Sequence, residues 1–106
     1  MADASKLDDE DYPTYTTGQV AAVLEVQEAF LRSLDTAGLV RPHRSGGGHR
    51  RYTRRQLTLV TRVREQLDDG HTLAAAARII GLQDELAAAH AEIAVLRAEL
   101  ARREGD

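Results

Sequence analysis

The 106-residue chain has no cysteine and no tryptophan, one phenylalanine and three tyrosines. Without cysteine there are no disulfides, no thiolate metal ligands and no thiolate nucleophile. With so few aromatics the core must be built mainly from Leu, Val, Ile and Ala, and such a core in one small domain is marginal by itself, so self-association is expected on energetic grounds. No apolar run approaches the roughly 20 residues that span a bilayer, and the N-terminus lacks the apolar stretch of a secretory leader. A cytoplasmic protein with no membrane partner is therefore expected. The four histidines, His43, His49, His71 and His90, are scattered along the chain. No carboxylate pair sits beside a histidine at helical spacing, and no glycine-rich loop joins a strand to a helix in the phosphate-cradling pattern. His43 and His49 can meet across a hairpin, but no third ligand is evident. Enzyme chemistry, a metal site and a cofactor are all disfavoured.

What is abundant is arginine, unevenly placed. The net charge of −3 divides into −6 for residues 1–28, +8 for residues 29–64 and −5 for residues 65–106. The local field depends on that distribution rather than on the average. The middle segment carries nine arginines against one acid, Asp35. Its centre, Arg41-Pro42-His43-Arg44-Ser45-Gly46-Gly47-Gly48-His49-Arg50-Arg51-Tyr52, reads as a cationic hairpin. Glycines allow close backbone approach, and arginines match phosphate or guanine edges. The implied partner is double-stranded DNA.

Around this hairpin the periodicity is helical. Residues 1–13 are acidic and polar, with Asp8-Asp9-Glu10-Asp11 as a charge run, and are expected to form a disordered tail. Thr16 or Thr17 is a plausible N-cap for a helix with Val20, Ala21, Val23 and Leu24 on its apolar face. Glu25 and Val26 make a turn, and a second helix over 27–36 turns Phe30, Leu31 and Leu34 inward before Gly38 ends it. This is helix-turn-helix spacing. Thr53 caps a longer helix through Leu57, Val60, Val63 and Leu67, and Thr72 caps another. In the last segment Ile79, Leu82, Leu86, Ala89, Ile93, Leu96 and Leu100 alternate by three and four residues, a heptad seam. Gly81 lowers helix propensity by about 1 kcal/mol relative to Ala, so a break is expected there, with helices over 72–80 and 82–103. The expected fold is mainly α: an acidic tail (1–13), a winged helix-turn-helix domain with a small hairpin wing (14–80), and a coiled-coil dimerisation helix (82–103).

In this order the segments resemble the MerR superfamily of winged-helix regulators, over roughly residues 14–103. Tyr15-Thr16-Thr17-Gly18-Gln19-Val20-Ala21 looks like the family's opening helix, Leu31-Arg32 followed by Gly38-Leu39-Val40-Arg41-Pro42 like the end of the recognition helix and its exit, and Gly48-His49-Arg50-Arg51-Tyr52 like the wing. The Gly46-Gly47-Gly48 run, Arg78-Ile79-Ile80 before Gly81 and the short C-terminal helix are most similar to the heat-shock-repressor branch, HspR. The departures are Glu25 where a turn glycine is usual, Ser33-Leu34 where two aromatics are common, and Gln27-Glu28-Ala29 in place of small polar and arginine residues.

The residues themselves leave several roles open. Arg32 can clamp a phosphate or pair with Asp35 or Glu28. Gln27 can read adenine N6 and N7 or remain a solvated first-turn residue. Glu28 can pair with Arg32, face away, or accept from a cytosine amine. His49 can donate to a phosphate or have no role, and Tyr52 is expected in the core. Arg50 and Arg51 alternate in direction on a strand, and the resemblance places Arg50 on the DNA side. Arg54 and Arg55 open a helix against its dipole, which a nearby anion would explain. The candidate DNA contacts are Thr17, Gln27, Arg32, Arg44, His49, Arg50, Arg51 and Arg54; the candidate dimer seam is Leu82, Leu86, Ala89, Ile93, Leu96 and Leu100. The resemblance implies an antiparallel coiled-coil homodimer on a palindromic operator, repression being the expected mode. With no room for an effector pocket after the coiled coil, any signal is expected through a protein partner, oligomer state or protein level. An architectural or recombination-accessory protein that bends DNA, and a coiled-coil adaptor with a vestigial wing, are the alternatives.

Overall fold

A computed structural model describes residues 9–105. Along the chain lie β1 (Tyr15–Thr16), α1 (Thr17–Leu24), α2 (Glu28–Thr36), β2 (His43–Arg44), β3 (Arg50–Tyr52), α3 (Arg54–Asp68) and α4 (Leu73–Glu104). The fold is mainly helical, with one small antiparallel sheet of order β1-β3-β2. Tyr15 faces Tyr52 and Thr16 faces Arg51 on one side of β3, while His43 faces Arg51 and Arg44 faces Arg50 on the other.

The helix starts follow from short polar side chains at the right spacing. Thr16 accepts from the Gln19 amide at 3.1 Å while the Gln19 side chain accepts from the Thr16 amide at 2.8 Å. Thr53 and Gln56 repeat the same reciprocal pair at 3.0 and 2.9 Å. Each pair satisfies two amides that the first helical turn leaves orphaned. Gln27 stands at the N-cap of α2 without a side-chain cap bond, so its amide group is not spent on the helix. Between α1 and α2, Glu25 takes the left-handed conformation (φ 55°), a region that favours glycine. The Arg64 guanidinium donates to the neighbouring Leu24 carbonyl, satisfying the end of α1 from α3.

Val20, Leu31, Leu34, Val40, Tyr52, Val60, Val63 and Ile80 form the core, joining α1, α2, the sheet, α3 and the first turns of α4. Two apolar expectations shift. Phe30 is only partly buried against this core. Val23 is 65% exposed, because it falls past the edge of the face that Val20 and Leu24 present inward.

The expected break at Gly81 does not occur: α4 runs unbroken for 32 residues. Ile80 is buried on one side of the glycine. On the other, Arg62 of α3 donates to Asp84 at 2.8 Å and to Gln83 at 3.0 Å. Contacts immediately before and after Gly81 thus brace the backbone against its weak propensity. A Cβ added at Gly81 would meet nothing within 4 Å. Gly81→Ala is therefore expected to stabilise the chain by roughly 0.5–1 kcal/mol, read as a rise in melting temperature of about 2–6 °C; a fall would place a hidden contact at this position.

Residues 9–13, expected to belong to a disordered tail, instead form a turn packed on α3, where arginines receive their acids. Residues 1–8 of that tail lie outside the described residues.

Candidate nucleic-acid interface

The exposed surface of α2 begins with Gln27 and Glu28 and continues with Arg32. Glu28 and Arg32 are 3.8 Å apart, both about half exposed, so the pair is weak and leaves the guanidinium available to another anion. The Glu28 carboxylate also lies 3.3 Å from the point where a Cβ on Gly18 would sit, which packs the start of α2 against α1.

The wing follows from its turn. Ser45 donates to the His49 carbonyl at 2.8 Å and Gly48 donates to that of Ser45 at 2.8 Å. Gly48 has φ +81°, a conformation that glycine enters without penalty. Arg44 reaches across to donate to the Gly48 carbonyl at 3.2 Å, and His49 remains exposed at the end of the turn.

One acid organises this surface. Asp35, on α2 and only 20% exposed, accepts from Arg50 Nε at 3.1 Å and lies 3.6 Å from the Arg44 guanidinium. The two arginines come from the two paired strands of the wing, so a single carboxylate ties the wing to α2. Sequence reasoning assigned Asp35 no such role, although the signal was present: it is the one acid among nine arginines between residues 29 and 64. The tie changes the reading of Arg50. Its side chain is drawn toward α2 rather than standing free on one face of a strand, with Nε engaged by Asp35. Arg51 is also partly buried and donates to the Arg50 carbonyl at 3.3 Å.

The remaining candidates divide by place. Gln27, Arg32, Arg44 and His49 are exposed on α2 and the wing. Thr17 is half-buried at the start of α1, beside the ring of Tyr52. Arg54 is exposed at the start of α3, close to Glu10. The anion that would explain a cation there is thus supplied by the chain itself. Among the described residues no group of three or more His, Cys, Asp or Glu side chains could hold a metal ion, and no helix is long and apolar enough to cross a membrane.

Tyr52 is fully buried, and its hydroxyl lacks a hydrogen bond of normal geometry although the Thr17 side chain lies near it. Burial pushes the phenol above its ordinary value of 10.0, with Thr17 and the charge of Arg50 opposing. A raised pKa in the folded state means that the protonated ring contributes its full stability below about pH 10 and loses it as pH climbs through the folded value. Tyr52→Phe is therefore expected to leave stability at pH 7 unchanged or up to about 1 kcal/mol higher, since it removes a poorly satisfied buried polar group. It should also flatten the loss of stability above pH 10 in urea titrations. A large destabilisation at pH 7 would mean that the hydroxyl makes a bond of consequence.

A capped α1, a left-handed turn, a solvent-facing α2 and a glycine-rich wing bound back to α2 together form a winged helix-turn-helix module. Residues 15–82 match the model of the MerR HTH family of regulatory proteins. The chain belongs to this family. Its relatives are transcription regulators that bind DNA, not enzymes. It is similar to a putative heat shock protein HspR of Streptomyces coelicolor, 37% identical over 92 residues. That match takes in 86% of this chain but 61% of the relative, which extends well beyond it. Among solved structures it is similar to a MerR-family transcriptional regulator from Bacillus cereus, with a TM-score of 0.60 and 28% identity over 83% of this chain and 70% of that one. It also shares its fold with HiNmlR, a MerR-family regulator lacking the sensor domain and bound to promoter DNA, with a TM-score of 0.59 and 23% identity over 85% of this chain and 75% of that one.

Proposed function

We propose that this MerR-family chain is a sequence-specific transcriptional regulator, a repressor by mode, which binds a palindromic operator as a homodimer in the cytoplasm. The observation that carries the reading is the bare seam of α4. Leu82, Leu86, Ile93, Leu96 and Leu100 are each between 44% and 56% exposed on a helix that projects from the basic module. A contiguous apolar stripe of that kind needs a cover. A second copy running antiparallel supplies one residue by residue: Leu82 faces Leu100, Leu86 faces Leu96 and Ala89 faces Ile93, with the twofold axis at Ala91. Residues 14–80 then form the DNA-binding module and residues 82–103 the dimer helix, which sets the spacing of two half-sites.

Within each module, Arg32, Arg44, His49, Arg51 and Arg54 serve phosphates, as does what remains of the Arg50 fork beyond Asp35. Gln27 offers its uncommitted amide to a base edge, and Thr17 supports the backbone approach at the start of α1. The test is selection of bound oligonucleotides from a random pool, followed by titration of the winner at several salt concentrations. An enriched inverted repeat with a steep negative log-log salt slope is expected. Extended cooperative coverage without a repeat would favour an architectural protein, and no slope at all would leave a coiled-coil adaptor.

A further inference from the structure

The acidic run before β1 lies across the root of the wing. Its backbone is tied there by the Arg55 amide, which donates to the Glu10 carbonyl at 3.1 Å, and by the Thr14 amide, which donates to the Tyr52 carbonyl at 3.0 Å. A local turn, with the Asp11 amide on the Asp9 carboxylate at 2.8 Å, presents the acids to α3. Arg55 Nε donates to Asp11 at 2.7 Å and its terminal nitrogen lies 3.2 Å from Glu10; Arg54 lies 4.0 Å from the other Glu10 oxygen.

Arg54 and Arg55 begin α3 directly after the wing strand, so they belong to the same basic module as Arg44 and Arg50. Gln56, one residue on, donates to the Arg41 carbonyl at 2.6 Å and ties this helix end to the exit of α2. Two cations at a helix start are unfavourable unless an anion covers them. Carboxylate and phosphate present the same acceptor geometry to a guanidinium, so the acids occupy positions that a DNA phosphate can take. The pairs are also exposed, the side chains being 45–69% accessible. Exposed pairs are weak and screened by salt, which makes the segment displaceable rather than a permanent part of the core.

We propose that Asp9-Glu10-Asp11 is an intramolecular stand-in for DNA phosphate, an autoinhibitory contact that occupies Arg54 and Arg55 until a duplex displaces it. The inference rests on the DNA-binding reading above. Every duplex, specific or not, then binds more weakly than the arginine content allows. In addition, the counterions released from DNA are partly taken up again by the freed acids, which makes the salt slope shallower than the arginine–phosphate pairs alone would give.

The test compares the wild-type chain with Asp9→Asn/Glu10→Gln/Asp11→Asn and with Glu65→Gln/Asp68→Asn/Asp69→Asn, a control removing the same charge from the far end of α3. These residues lie about 15–20 Å away, roughly one and a half to two Debye lengths at about 0.1 M salt. Against a random duplex, the N-terminal variant is expected to bind about three- to tenfold more tightly, with a slope steeper by about one unit for each additional phosphate neutralised, and the control to change less than about twofold. Equal increases in affinity from both variants would reduce the effect to net charge, and no increase from the first would remove the autoinhibition; either overturns the proposal. A second readout needs no mutation. The Arg55 amide, whose acceptor is Glu10, should exchange slowly in the free protein and faster when duplex is saturating. Continued protection in the complex would show that the acids stay in place and sinks the proposal while DNA binding itself stands. If the wild-type chain and both variants bind no duplex at any salt, the DNA-binding reading fails first and the inference with it.

Discussion

Ile93→Asp together with Leu96→Asp is expected to yield a monomer whose affinity for a full operator is lower by about a hundredfold or more. Each leucine or isoleucine at the seam is about half exposed in the single chain, so covering it contributes roughly 1–1.5 kcal/mol through removal of apolar area from water. The double change removes two such side chains per copy and places charge where there is no counter-charge to receive it. The DNA effect is larger than the loss of any protein–DNA contact, because the second module ceases to be held near its half-site. Linked modules gain on the order of 10²–10⁴ in apparent affinity from effective concentration alone. Sedimentation equilibrium gives the mass, and titration against full and half operators gives the affinities. Half-site binding should be unchanged, since residues 93 and 96 lie outside the family-matched segment 15–82. Retention of the dimer mass would refute the seam, and equal losses on full and half sites would mean that the variant damages the module instead.

The second large effect is expected at the wing. Arg50→Ala should weaken binding to operator and to random duplex alike, by about tenfold, and lower the salt slope by about one unit per chain if the guanidinium neutralises a phosphate. The bond from Arg50 to Asp35 supplies a rival explanation: the arginine serves to brace the wing on α2. Asp35→Ala separates the two. It cuts the tie to both Arg44 and Arg50 while keeping every arginine, so it should weaken binding through a looser wing yet leave the slope as it was. Identical slopes for wild type, Arg50→Ala and Asp35→Ala would make Arg50 a brace only. A loss confined to the operator would make it a base reader.

The acidic segment and Asp35 belong to one electrostatic pattern. A module carrying nine arginines between residues 29 and 64 is self-repulsive unless its charges are partly answered. Besides Glu28 beside Arg32 and Asp84 beside Arg62, the chain answers those around the wing at two places: one internal acid under the wing and a short acidic run at the wing's root. The first fixes geometry because Asp35 is mostly shielded from solvent, whereas the second can be exchanged for another polyanion because its pairs are exposed.

The sequence by itself determined the local elements. Threonine three residues ahead of glutamine starts α1 and α3, a three- and four-residue apolar rhythm runs through α3 and α4, and Gly48 turns the wing; each is set by neighbours within one or two turns of backbone. The concentration of arginine around a glycine-rich hairpin, and with it the expectation of DNA, was equally legible. Tertiary structure decided what depends on residues far apart in the chain. The continuity of α4 through Gly81 rests on Arg62, about twenty residues away, because a single unfavourable propensity of about 1 kcal/mol is outweighed by packing that no local window contains. The direction of Arg50 is set by Asp35 fifteen residues earlier, where strand alternation alone can assign only opposite faces. Composition marked residues 9–13 as unable to order themselves, and that holds for the segment in isolation. Its order comes from Arg54 and Arg55, more than forty residues on, because a charge run finds its free-energy minimum against whichever opposite charges the fold brings within reach.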